Sequence, residues 1–156
     1  ILVEGDAEFI LMDALYTNST KGANTDADGI HVISVDGTSF KRYLELAKLL
    51  GIKIAAVRDN DRDYQANCVA NYADFASASI QVFADANNAR YTFEVCMYQD
   101  NKIICDEQFL ADRKTLTVEE YMLKNKTDAA FQLLEKKGAE LLAPGYIQQA
   151  VAWIRA

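Results

Sequence analysis

Residues 31–61 read HVISVDGTSFKRYLELAKLLGIKIAAVRDND, and this stretch changes its apolar pattern twice. It begins with the apolar run HVISV (31–35), and a second apolar run, IKIAAV (52–57), precedes its acidic end. Short apolar runs of this kind are typical of buried strands in a parallel sheet. Between these runs, apolar residues recur with the 3.6-residue period of a helix, and Gly51 is a natural C-terminal stop for that helix. The stretch therefore predicts a strand, a helix and a second strand.

The rest of the chain continues this alternation. Residues 17–29 are polar and contain glycine, which predicts an exposed loop, whereas residues 99–116 show no clear pattern. Alternating strands and helices predict a three-layer α/β domain, in which helices flank a mostly parallel central sheet and further helices follow at the C-terminal end. The remaining predicted elements are strands at 1–3 and 79–83 and helices at 8–16, 92–98, 125–137 and from Pro144 onward.

The composition is that of one globular domain. The chain has 156 residues, of which 51% are hydrophobic and 25% charged, and this balance excludes a disordered protein. No apolar run approaches the ~18 to 20 residues that cross a bilayer, and no basic secretory leader is visible, so we expect no membrane association. The chain begins without Met inside a predicted strand, which predicts a domain cut from a longer protein.

Charge and cysteine content narrow the class of function. The net charge of −7 argues against binding nucleic acid by bulk charge alone, but not against holding phosphates through bound metal ions. Cys68, Cys96 and Cys105 include no CxxC pair, so we expect buried, reduced thiols and a cytoplasmic protein rather than a zinc site or disulfide framework. The single histidine, His31, starts a predicted strand at the end away from any strand-end site, and we expect it to be structural.

Acidic residues follow two of the predicted strands. Glu4 ends the first strand and Asp59 the third, with Asp61 two residues later and Glu8 one helical turn beyond Glu4. Function in open parallel sheets gathers at the carboxyl ends of the strands, where these carboxylates would repel one another unless a cation is bound. Oxygen ligands suit Mg²⁺ or Mn²⁺, and paired ions of this kind serve phosphodiester hydrolysis. The residues alone leave a second interpretation open, a solvated acidic turn after an ordinary strand end.

The same residues carry a resemblance to a known family. A strand ending in Glu-Gly and a later strand ending in Asp-x-Asp resemble the Toprim fold of topoisomerases, primases and some nucleases. The form ILVEGDAEFILMDAL, at the start of the chain, resembles the Toprim domain of OLD-family (overcoming lysogenisation defect) nucleases, which are related to the Gabija nuclease subunit. The resemblance covers nearly the whole chain, because four further segments match in order: residues 31–61, Thr92-Phe93-Glu94, NKTDAAFQLL with Lys126, and PGYIQQAVAWI.

The resemblance implies a metal-dependent DNA endonuclease that hydrolyses phosphodiester bonds. The implied cofactors are two Mg²⁺ or Mn²⁺ ions, with Ca²⁺ as an inert substitute and no nucleotide cofactor. Glu4, Glu8 and Glu94 would hold one ion with help from Asp59, and Asp59 and Asp61 would place the second. Lys126 would offset negative charge in the transition state. The implied catalytic residues are Glu4, Asp59, Asp61 and Lys126.

The resemblance also implies a setting for the domain. Residues 1–156 would be a single Toprim nuclease domain that follows an ABC-type ATPase in a longer chain, which would form homo-oligomers through the ATPase. The implied partner is DNA, and the implied function is ATP-dependent cleavage in phage defence or DNA processing in a bacterial or archaeal cytoplasm. Lys126, Arg58 and Arg62 are candidate DNA contacts, although the two arginines could equally pair with neighbouring carboxylates.

Two other functions remain as alternatives. A receiver-like phospho-accepting module also has acidic residues after its first strand, an Asp at the end of its third strand and a late Lys. A Toprim domain of a topoisomerase or primase is the other alternative. The position of Lys126 in the first turn of a predicted helix indicates a functional role, because the helix dipole disfavours a cation there by about 0.3 to 1 kcal/mol.

Overall fold

A computed structural model of the chain describes residues 1–37, 39–110 and 115–156. Its centre is a four-stranded, fully parallel sheet in the order β2-β1-β3-β4. In the register of this sheet, Leu2 lies beside Ile33 on one neighbour and Ala56 on the other, and Ile54 lies beside Ile80. The strands are β1 (Leu2–Val3), β2 (Ile33–Ser34), β3 (Ile54–Val57) and β4 (Ile80–Phe83).

Helices connect and cover the strands. A π-helix (Gln65–Val69) and a 3₁₀-helix (Ala70–Phe75) lead into β4, and a short 3₁₀-helix (Gly138–Glu140) follows α6. No helix in the described ranges is long and apolar enough to cross a membrane. The α-helices are α1 (Asp6–Thr20), α2 (Phe40–Leu50), α3 (Phe93–Asp100), α4 (Lys102–Phe109), α5 (Val118–Lys124), α6 (Lys126–Lys137) and α7 (Gly145–Arg155).

The sheet is buried on both faces, which gives the predicted three layers. Val3 and Val57 face a large apolar cluster built from α1 and α3 to α7. Leu2 and Ala56 point the other way, into a smaller cluster with Phe40 and other residues of α2. Alternate residues of β1 and β3 thus enter opposite cores, and this explains why these two strands are continuously apolar rather than alternating.

One predicted loop has the wrong start, and one stretch without a prediction is partly helical. The loop predicted at 17–29 starts later, because α1 continues to Thr20, where the hydroxyls of Ser19 and Thr20 donate hydrogen bonds to carbonyls one turn back. Lys21 then ends the helix in a left-handed conformation with φ of 59°. The unclear stretch 99–116 contains α4, while residues 111–114 within it lie outside the described residues.

Candidate metal centre

One cavity of about 140 Å³ opens at the carboxyl ends of the strands. Glu4 follows β1, Glu8 lies in the first turn of α1, and Asp59 lies two residues after β3. Glu94 comes from the first turn of α3 and Lys126 is the first residue of α6. Strand ends and helix starts that are distant in sequence therefore bring five of the sequence-predicted site residues to the lining of one cavity.

Gly5 lies beside the carboxylate of Glu8. A Cβ atom at this position would lie 3.4 Å from Oε2 of Glu8, so a larger residue would press on that carboxylate. Glu4 Oε2 in turn accepts a 3.3 Å hydrogen bond from the backbone N–H of Asp59, which ties the end of β1 to the end of β3. The Glu-Gly pair thus serves the packing of the carboxylates as well as the turn into α1.

The carboxylates are strongly perturbed by their surroundings. Glu8, Asp59 and Glu94 are buried, and Glu4 is 22% exposed. Burial, followed by repulsion from Glu8, Glu4 and Glu94, raises the pKa of Asp59 to about 8. Burial, with repulsion from Glu94 and Glu4, likewise raises the pKa of Glu8 to about 7. Because each charge makes the next one harder to form, the cluster favours either protons or a cation.

Lys126 supplies a positive charge inside this cavity. Its Nζ lies 2.9 Å from Oε2 of Glu94, an ion pair between the first turns of α6 and α3. That same Oε2 is buried and accepts no hydrogen bond of good geometry from the described residues, so the ion pair balances its charge without saturating its lone pairs. The attraction to a buried carboxylate explains why a lysine stands in a first turn despite the helix dipole.

Asp61 is not among the residues that line the cavity. The turn after β3 places Asp61 and Arg62 at φ of 49° and 70°, and this left-handed pair points Asp61 toward Arg58. The Arg58 guanidinium is buried, lies 2.9 Å from Oδ2 of Asp61 and 3.8 Å from Oε2 of Glu4, and donates to the hydroxyl of Tyr72. The sequence left two roles open for Arg58, contact with DNA or pairing with carboxylates, and in the structure Arg58 pairs with carboxylates.

The first part of the chain matches a known family. Residues 1–61 match the family model for the overcoming lysogenization defect protein-like Toprim domain, a range that includes Glu4, Glu8, Asp59 and Asp61. The predicted resemblance to OLD-like Toprim domains is confirmed. The comparison with curated proteins gave no match.

Solved structures of OLD proteins share the fold over nearly the whole chain. The C-terminal region of the Burkholderia pseudomallei OLD protein matches with a TM-score of 0.66 at 20% identity, covering 99% of this chain and 94% of that one. The C-terminal region of the Xanthomonas campestris pv. campestris OLD protein matches with a TM-score of 0.62 at 19% identity, covering 99% and 92%. At these identities the likeness establishes the Toprim fold, and with it the predicted fold class.

The donor chemistry of the cavity fits a hard divalent cation. All its candidate ligands are carboxylate oxygens, and one of them, Glu94 Oε2, is buried without a hydrogen bond from the described residues. As the side chains stand, no group of three or more His, Cys, Asp or Glu residues in the described ranges is arranged to hold an ion. The Lys126 ammonium balances negative charge in this arrangement, and binding of an ion would require the carboxylates to turn toward it.

Two residues next to Asp59 in space or in sequence were not predicted to contribute to the site. The backbone N–H of Phe93 donates a 2.7 Å hydrogen bond to Oδ1 of Asp59, and no sequence pattern marks a backbone donor of this kind. Asn60, between the two aspartates, is 1% exposed and carries several hydrogen bonds. The one sequence signal that could have indicated Asn60 is its neutral amide inside a run of charged residues.

We expect the metal-free Toprim domain to lose stability as the pH rises. Asp59 and Glu8 ionise at ordinary pKa values of 3.8 and 4.5 in the unfolded chain, but at about 8 and about 7 in the folded domain. Between those values the folded state holds more protons, so the free energy of unfolding falls with pH until both groups have ionised. Thermal melts in EDTA should show a Tm several degrees lower at pH near 8.5 than near 5.5. A Tm that rises across this range would contradict the buried, mutually repelling carboxylates.

Proposed function

We propose that this domain is a divalent-metal-dependent DNA endonuclease that hydrolyses phosphodiester bonds. The observation that carries the proposal is a single cavity at the strand ends, lined by Glu4, Glu8, Asp59 and Glu94 together with the Lys126 cation. The match of residues 1–61 to OLD-like Toprim domains supports it, because Toprim domains bind divalent metals and act on nucleic acids. The proposed cofactors are two Mg²⁺ or Mn²⁺ ions.

Each of these five residues has a proposed role. Glu4, Glu8, Asp59 and Glu94 would hold the ions, and Asp61 would join them after leaving Arg58. Bound divalent ions supply charge stabilisation at the scissile phosphate and lower the pKa of water. Lys126 would leave Glu94 when the ions balance that carboxylate, and its ammonium would then face the phosphate.

The turn after β3 offers one proposed contact to the DNA backbone. Arg62 is exposed, and its guanidinium lies 3.8 Å from the centroid of the Tyr91 ring, a cation–π arrangement that fixes a flexible side chain. Stacked in this way, the guanidinium keeps its N–H groups available for a phosphate. Arg58 is a weaker candidate, because its guanidinium is buried and already engaged by Asp61 and Tyr72.

The wider setting belongs to the same proposal. The domain would follow an ABC-type ATPase in an ATP-dependent nuclease of a bacterial or archaeal cytoplasm, and the longer protein would oligomerise through that ATPase. A role in phage defence or DNA processing would follow from that architecture.

The burial of Asp59 disfavours the receiver-like alternative. A phospho-accepting aspartate must be open to a phosphate donor, whereas Asp59 is 9% exposed and its Oδ1 accepts the Phe93 N–H. Three further carboxylates surround it and would repel a phosphoryl group. The receiver-like function is therefore not supported at this site.

The direct test is cleavage of supercoiled plasmid by the purified chain. We expect nicked circles with Mg²⁺ or Mn²⁺, and none with EDTA or with Ca²⁺ alone. The chain with Asp59→Asn, purified in the same way, controls for a contaminating nuclease. Intact plasmid with both metals, or nicking that persists in EDTA, would overturn the proposal.

A further inference from the structure

The turn after β3 is fastened to the segment that leads into α3. This segment, residues 84–92, joins β4 to the helix that carries Glu94. Three consecutive residues of the turn contact the segment or the first residue of α3. Asp59 Oδ1 accepts the N–H of Phe93, Asn60 donates from its side chain, and the Asp61 backbone N–H donates to the carbonyl of Tyr91 at 3.2 Å.

Asn60 makes the largest share of these contacts. Its Nδ2 lies 2.8 Å from the carbonyl oxygen of Asp85, 3.1 Å from that of Asn87 and 3.2 Å from that of Arg90. Its Oδ1 accepts the backbone N–H of Arg62 at 2.8 Å. The orientation of the amide follows from these partners, because carbonyls require the N–H₂ group and a backbone N–H requires the oxygen.

The contacts hold a segment that has little apolar packing of its own. In residues 84–92 the described side chains are exposed or half-buried, and none belongs to either apolar cluster. Its shape depends on polar contacts, including those that the backbone N–H groups of Asn87 and Ala89 donate to neighbouring side chains. A buried amide that contacts three of its carbonyls therefore contributes to holding this segment in place before α3, together with the side-chain cap of Thr92.

We infer that Asn60 is a positioning residue, which fixes Glu94 relative to Asp59 and thereby sets the affinity of the cavity for a divalent cation. This inference rests on the proposed function, since it concerns the same carboxylates. Asn60 does not line the cavity and acts through the segment 84–92. Loss of its three carbonyl contacts would let the start of α3, and Glu94 with it, shift away from Asp59.

Asn101, at the other end of α3 from Glu94, provides a matched control. It is 3% exposed, and its side chain donates to the carbonyls of Met97 and Leu142 and accepts the backbone N–H of Leu142. It follows the last residue of α3, seven residues beyond Glu94, or roughly 10 Å along the helix. Asn60→Ala and Asn101→Ala each leave buried backbone groups unpaired, so both should lower the Tm by comparable amounts.

The test is Mn²⁺ affinity measured by titration calorimetry or by Mn²⁺ paramagnetic resonance at a temperature where both variants are folded. We expect Asn60→Ala to weaken Mn²⁺ binding about 10-fold or more, the size typical of residues that orient metal ligands. Asn101→Ala should bind Mn²⁺ as the unmodified chain does. If Asn60→Ala does not fold, Asn60→Ser, which keeps a hydroxyl donor near the same carbonyls, is measured by the same criterion.

Each outcome has a distinct meaning. An Asn60→Ala variant that binds Mn²⁺ as tightly as the unmodified chain would overturn the positioning role and leave the proposed nuclease site intact. Equal weakening in Asn60→Ala and Asn101→Ala would also overturn it, because the effect would then reflect stability. An unmodified chain that binds no Mn²⁺ would overturn the proposed function and the inference together.

Discussion

Asp59→Asn is expected to abolish metal-dependent nicking and, at the same time, to raise the Tm of the metal-free domain at pH near 8. The substitution removes the carboxylate that lies between Glu4, Glu8 and Glu94, where repulsion and burial raise its pKa to about 8. An amide carries no charge to repel, so the metal-free fold is relieved of that repulsion. The Asn Oδ1 can still accept the Phe93 N–H, so the local fold is kept.

The pH dependence separates this explanation from a general effect of the substitution. At pH values below its ordinary pKa of 3.8, Asp59 is protonated in both the folded and the unfolded chain, so the two proteins should have similar Tm values there. Their Tm values should diverge progressively, by several degrees in all, as the pH rises from about 4 to about 8, and the difference should stay constant above that range. Asp74→Asn, at an exposed position, removes the same charge and should affect neither nicking nor the pH dependence. A melting temperature of Asp59→Asn far below that of wild type would show instead a structural role for Asp59.

The sequence predicted the layers and the strand ends well because those signals are local. Continuous apolar runs mark strands that are buried on both faces. Glu4 follows one such run directly, and Asp59 lies two residues after the end of another. Parallel strands present their carboxyl ends at one edge of the sheet, and this rule is enough to predict that the two residues lie close together. Glu94 and Lys126 lie on helices distant in sequence, and only the family resemblance predicted their place in the site.

Three features could not be predicted, for identifiable physical reasons. The direction of Asp61 depends on two consecutive left-handed residues, which ordinary side chains rarely adopt, and on the buried Arg58 that attracts it. The extension of α1 to Thr20 depends on hydroxyls that bond back to the helix instead of capping a turn. Asn60 has its partners 25 to 30 residues away, and no periodicity records such contacts.

Lys126→Ala is expected to lower the cleavage rate by roughly 10² or more, the loss typical when one preorganised electrostatic group is removed. Metal affinity should not fall, because the substitution leaves every carboxylate in place and removes a competing cation from Glu94. Rates of plasmid nicking at saturating Mn²⁺, together with Mn²⁺ titrations, separate these two effects.

The controls for Lys126 come from lysines nearby in sequence. Lys124 is exposed at the end of α5 and Lys136 is exposed in the last turn of α6, and neither lines the cavity. Lys124→Ala and Lys136→Ala remove the same charge and should cleave at the wild-type rate. If Lys124→Ala is inactive and Lys126→Ala is fully active, the catalytic role belongs to Lys124. If both variants cleave at the wild-type rate, neither lysine takes part in the mechanism.

The stability of Lys126→Ala tests how the lysine is held in the metal-free domain. The helix dipole alone predicts a slight gain in stability, because a first-turn cation opposes it. The ion pair with Glu94 predicts the opposite, since the substitution leaves a carboxylate that is 3% exposed without its 2.9 Å counter-charge. We expect the ion pair to dominate, so the Tm in EDTA should fall at neutral pH, and Mg²⁺ should restore it by taking over the charge of Glu94. A Tm that rises in EDTA would mean that the dipole outweighs the pair and that Lys126 is free to leave Glu94 even without metal.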